Sequence, residues 1–85
     1  MKYHFQFVSR TTVRIELIPE DKKEIVLIEK LSQGEEDNEQ LMELFRKGLE
    51  SYNAGTILTK TKFMNFPTVA LCNYTISVQT IDNVA

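Results

Sequence analysis

Between Leu41 and Tyr52 the residues Leu41, Leu44, Phe45, Gly48, Leu49 and Tyr52 recur at three- and four-residue intervals without a gap. That spacing gathers all six on one stripe of an α-helix. So wide a stripe must be buried, and the rest of the chain has to supply an apolar surface to receive it. Asp37 or Asn38 stands where an N-cap belongs, Asp37 with Gln40 has capping-box spacing, and Gly55 marks the end of the helix. On the polar side Glu43 with Lys47 and Arg46 with Glu50 are four apart, the spacing of weak surface ion pairs. Gly48 lies within the stripe, where glycine costs about 1 kcal/mol relative to alanine. It is read as letting the helix approach its support closely; a ligand cavity is the sharper alternative.

Strands at both ends supply that support. Tyr3, Phe5 and Phe7 alternate with His4 and Gln6, and Val13, Ile15 and Leu17 alternate with Arg14 and Glu16. In a hairpin, facing residues share a face, so Phe7 is expected opposite Val13, Phe5 opposite Ile15 and Tyr3 opposite Leu17, about an odd loop centred on Arg10. No glycine or asparagine marks that turn, and a single long bent strand keeps the same phase. Pro19-Glu20-Asp21-Lys22 reads as a tight turn. The apolar run Ile25 to Ile28 reads as a third strand, covered on both sides at its middle or central in the sheet. Gly34 lies in the polar stretch Ser32 to Glu36 that ends it.

Thr56 to Phe66 and Thr68 to Ile81, split by Pro67, read as two more strands, with Tyr74, Ile76 and Val78 alternating against Thr75, Ser77 and Gln79. The expectation is an α+β domain over residues 1–81 with a short tail at 82–85. It has an antiparallel sheet of four to five strands and one amphipathic helix packed on one face, in the order β-β-β-α-β-β.

A chain of 85 residues, 42% apolar and 26% charged, has room for one core and the composition of a folded soluble protein. Its one cysteine, Cys72, has no internal partner for a disulfide, which favours a reducing compartment and a cytoplasmic location. Met1 to Gln6 lacks the marks of a secretory signal, and no apolar run approaches the roughly 20 residues of a membrane helix. Membrane association is therefore not expected, and the tripeptide Asn73-Tyr74-Thr75 is a coincidental match to a glycosylation site.

Chemistry finds little to work with. A thiol nucleophile needs a base, and His4 is the only imidazole that could serve Cys72. Cys72 is in phase with the core positions Ala70, Tyr74 and Ile76, whereas His4 is out of phase with Tyr3 and Phe5, so the two read as a core residue and a solvent-facing one. One histidine and one cysteine fall short of a zinc ligand set. Gly34, Gly48 and Gly55 are too far apart for a phosphate-binding loop. The twelve carboxylates fall mostly in turns or on the helix's polar side, where ordinary pKa values make poor acids near neutrality. No enzymatic activity, cofactor or metal is expected.

Charge layout is more informative. Lys2, Arg10 and Arg14 give residues 1–15 a charge of +3, eleven acids against five bases give residues 16–50 a charge of −6, and Lys60, Lys62 and Asp82 leave residues 51–85 at +1. Glu35, Glu36, Asp37 and Glu39 crowd the start of the helix, with Glu43 one turn further. They either complement the helix dipole or meet a basic partner surface. Lys60 and Lys62 with Phe63 form a faint nucleic-acid signature, against which stands the common use of lysine to protect an edge strand.

The function expected is that of a small non-enzymatic protein-interaction module whose acidic helix region binds a basic partner. By compositional likeness to small phage or mobile-element proteins, it would act as an inhibitor or adaptor. A nucleic-acid contact through the basic strands is the alternative, and a self-assembling structural protein, hence a homo-oligomer, the third reading.

Overall fold

A computed structural model describes residues 1–76. Its elements are β1 (Lys2–Ser9), β2 (Thr12–Ile18), α1 (Lys22–Leu31), α2 (Glu39–Tyr52), β3 (Thr56–Asn65) and β4 (Val69–Ile76). The strands form one antiparallel sheet in the order β1-β2-β4-β3. The class is α+β, as expected, but the described residues form four strands and two helices, in the order β-β-α-α-β-β rather than β-β-β-α-β-β. The expected extension of the last strand to Ile81, the alternating residue Val78 and the tail at 82–85 lie outside the described residues.

β1 and β2 form the hairpin, in the register that alternation requires: Phe7 faces Val13, Phe5 faces Ile15 and Tyr3 faces Leu17. The turn differs from the expected odd loop. Ser9 pairs with Thr12, leaving a tight Arg10-Thr11 connection, and a register shift between Phe7 and Ser9 absorbs the odd residue as a bulge at Val8. A bulge solves the phase problem without glycine, because one extra residue on one strand restores the alternation beyond it.

The stretch Ile25 to Ile28 is not a strand; it belongs to α1. Asp21 caps this helix, its Oδ1 accepting the Glu24 N–H at 2.9 Å. Leu27, Ile28 and Leu31 are helically spaced and face the core, while Ile25 and Val26 remain exposed. The four-residue apolar run is thus divided between two sides of a helix. The Pro19-to-Lys22 segment leads into the helix instead of turning between strands.

α2 carries the expected stripe: Leu41, Phe45, Gly48 and Leu49 are buried, and Leu44 and Tyr52 half-buried. It packs on the face of the sheet that presents Val13, Ile15 and Leu17 from β2 and Ala70, Cys72 and Tyr74 from β4. A Cβ on Gly48 would stand 2.6 Å from the Tyr3 ring, so glycine there brings α2 down onto β1. Phe5 stacks against Tyr52 at 5.1 Å between ring centres, and Phe45 meets Phe63 edge-on at 5.6 Å. Gly55, with φ of 85°, makes the backward turn into β3 that side chains disfavour. The β3–β4 connection closes with Thr68 N–H on the Asn65 carbonyl at 3.0 Å, and its Phe66–Pro67 bond is cis.

Candidate protein-interaction site

The thiol and the imidazole are kept apart. Cys72 is fully buried on β4, facing the helices; His4 is exposed on β1, on the opposite face of the sheet and two strands away. Burial pushes the Cys72 thiol up to about 12, which favours the protonated form at neutral pH. Among the described residues no group of three or more His, Cys, Asp and Glu side chains is gathered as a metal site, and no helix is long and apolar enough to cross a membrane.

The acidic residues are distributed with more order than their sequence implies. Asn38, not Asp37, caps α2, its Oδ1 accepting the Leu41 N–H at 3.1 Å, and the expected Asp37 capping box does not form. Asparagine at this position supplies the acceptor while its neighbour stays outside the helix. Glu35, Glu36 and Asp37 therefore belong to a turn before the helix, closed by Asn38 N–H on the Glu35 carbonyl at 3.1 Å. All three are exposed. Only Glu39 falls in the first turn of α2, where complementing the helix dipole is most effective.

Glu39 and Glu43 are partly neutralised. Arg46 Nη1 donates to Glu39 Oε2 at 2.9 Å and to Glu43 Oε1 at 3.3 Å, which raises the guanidinium's pKa further. The expected Arg46–Glu50 and Glu43–Lys47 pairs are replaced by this arrangement, because long helical side chains lean toward the N-terminus of their helix. The acidic residues thus fall into two parts: an exposed triad in the turn, with no ion pair among the described residues, and a pair bridged by arginine.

Beside the triad, between the turn and β3, lies a cleft of about 340 Å³. Met42, Leu58 and Phe63 supply its apolar lining, and the carboxylates Glu36 and Asp37 share it with two cations, Arg46 from α2 and Lys60 from β3. Nothing in the sequence pattern announced this cleft, since it depends on how far β3 lies from the start of α2.

The basic residues are arranged differently. The ladder places Gln6, Arg14, Leu71 and Lys62 in one row across the sheet, and Thr12, Asn73 and Lys60 in the next, all on the face away from the helices. Thr12 Oγ1 donates to Asn73 Oδ1 at 2.9 Å within that second row. Phe63 lies on the opposite face of β3 from Lys62, half-buried with its ring edge-on to Phe45 and Phe66, and shares the cleft with Lys60. β3 is an edge of the sheet, so the protective reading of its lysines fits its position.

No family model, no curated protein and no solved structure matches the chain.

Proposed function

We propose that this chain is a non-enzymatic protein-interaction module that binds a basic segment of a partner protein through the acidic turn and the adjoining cleft. The observation that supports this reading is that the exposed carboxylates Glu36 and Asp37 line one cleft with Met42, Leu58 and Phe63. Of the cleft's two cations, Arg46 on α2 is already engaged by Glu39 and Glu43, and Lys60 is left to the β3 side. Lysine and arginine have an aliphatic stem and a charged head, and such a site offers apolar surface to the first and carboxylates to the second. Glu35 extends the negative field beyond the cleft and steers a cationic partner toward it. Action as an inhibitor or adaptor, by covering the partner's basic surface, follows from this mode of binding.

The test is surface plasmon resonance with a lysine-rich peptide as probe. Reversing Glu35 and Glu36 to lysine should weaken binding about tenfold, mainly through the on-rate, and added salt should do the same. Binding that is indifferent to both would contradict the proposal. The second reading, a polyanion on the open sheet face, is favoured by the common orientation of Arg14, Lys60 and Lys62. It predicts instead that replacing these three with glutamine abolishes salt-dependent binding to single-stranded DNA.

A further inference from the structure

The two edges of the sheet are not alike. β3 is protected twice over: its pairing with β4 is interrupted between Leu58 and Lys60 and between Phe63 and Asn65, and it carries Lys60 and Lys62. Bulges and lysines both discourage another strand from docking. β1 carries Lys2 at its start and the bulge at Val8 near its end, but between Tyr3 and Phe7 it has neither lysine nor interruption in its pairing with β2.

The direction of β1's free polar groups follows from one hydrogen bond. Leu17 N–H donates to the Thr68 carbonyl at 2.8 Å, on the side of β2 away from β1. Tyr3 and Leu17 are therefore a non-hydrogen-bonded pair of the hairpin, and by alternation Tyr3, Phe5 and Phe7 direct their N–H and C=O groups out of the sheet. Among the described residues no strand lies beyond them. Phe7, on the helix side of the sheet by phase, is 65% exposed.

We propose that this edge pairs with the same edge of a second copy, antiparallel and centred on Phe5, to give a continuous eight-stranded sheet. The segment is self-complementary in that register alone. Phe5 meets Phe5 of the second copy, Tyr3 meets Phe7 and Phe7 meets Tyr3, so all three outward-facing residues of each strand exchange both of their bonds. Sliding by two residues in either direction leaves one of them unpaired. On the helix side, each exposed Phe7 ring comes to rest beside the partner's tyrosine, an aromatic cross-strand pair. On the other side His4 faces Gln6 and Lys2 faces Val8, so no like charges are opposed. A two-fold interface of this kind closes on itself and stops at two copies. It is independent of the acidic turn and its cleft.

Light scattering of the full chain after size exclusion, from about 10 µM to about 1 mM, should show the mass rising toward twice 9.9 kDa. Phe7→Pro removes an outward N–H and the exposed ring without touching the bonds to β2, and should raise the dissociation constant at least about tenfold. Register is tested separately by mixing His4→Cys chains with Gln6→Cys chains under oxidised glutathione. In the proposed pairing these positions face each other with Cα atoms about 4.5 Å apart, within disulfide reach, whereas two like variants are about 8 Å apart and out of reach. Cross-linked species confined to the mixture would support the pairing whether or not Phe7→Pro folds. A monomeric mass at every concentration would overturn it, as would a dimer that forms no mixed cross-link.

Discussion

The two helices lie on the same face of one sheet and are held there unequally. α2 buries Leu41, Phe45 and Leu49 completely or nearly so and brings Gly48 against Tyr3. α1 buries only Ile28 and Leu31 and leaves Ile25 and Val26 in solvent, at 46% and 60% exposure. What α1 lacks in apolar contact it partly replaces with polar pins at its start. The Glu24 carboxylate accepts from the Glu20 N–H at 2.8 Å and from the α-ammonium of Met1 at 2.5 Å. These bonds hold the Glu24 carboxyl below its usual range, the ammonium first and the backbone bond second. α2 is thus a fixed platform and α1 a lighter cover, and the acidic turn between them is anchored on the platform side by Asn38.

The largest effect should separate the helices directly. Phe45→Ala is expected to cost about 3–5 kcal/mol and Leu31→Ala about 2 kcal/mol, read as shifts in chemical denaturation. Equal losses would erase the distinction. Next comes the dry side of the core that α2 closes. A thiol raised in the folded state contributes stability that is fully present below its ordinary value near 8.5 and is lost as pH rises through about 12. The native chain should therefore lose about 1.4 kcal/mol per pH unit relative to Cys72→Ala over that window, a slope measured by denaturation at a series of alkaline pH values. A flat difference would mean that water reaches the sulfur.

Smaller changes sharpen the comparison. Gly48→Ala should destabilise by about 1–2 kcal/mol, since the clash with Tyr3 outweighs alanine's better helix propensity. A stabilised variant would show that α2 can lift from β1 without loss. Asp21→Ala should cost about 1 kcal/mol, and hydrogen exchange should locate the loss in α1 alone, leaving the protection of α2 unchanged.

What could be read from the residues divides along the same line. α2 was legible because its stripe runs three turns without a break, and the β1–β2 register because Tyr3, Phe5 and Phe7 match Val13, Ile15 and Leu17 in phase. α1 is hidden in the sequence because Ile25 and Val26 extend its apolar run over the solvent side and mask the spacing of Leu27, Ile28 and Leu31. Asp21 followed three residues on by Glu24 is the helix-start spacing that the residues do carry. In the acidic cluster, composition showed the charge but not which carboxylates are ion-paired. That depends on Asn38 taking the cap and on Arg46 reaching back to Glu39 and Glu43, choices made by side-chain geometry. The cleft was illegible for a different reason, since it is a gap between elements distant in sequence.

The central claim is that the exposed acidic turn and its cleft form one binding site. Titrating the isotopically labelled chain with a lysine-rich peptide and following its amide resonances tests this most directly. The account predicts shifts concentrated at Glu36, Asp37, Met42, Leu58 and Phe63, lost in the Glu35 and Glu36 reversal while the spectrum of the fold persists. Shifts spread evenly over all exposed carboxylates, or confined to Glu39 and Glu43, would contradict it.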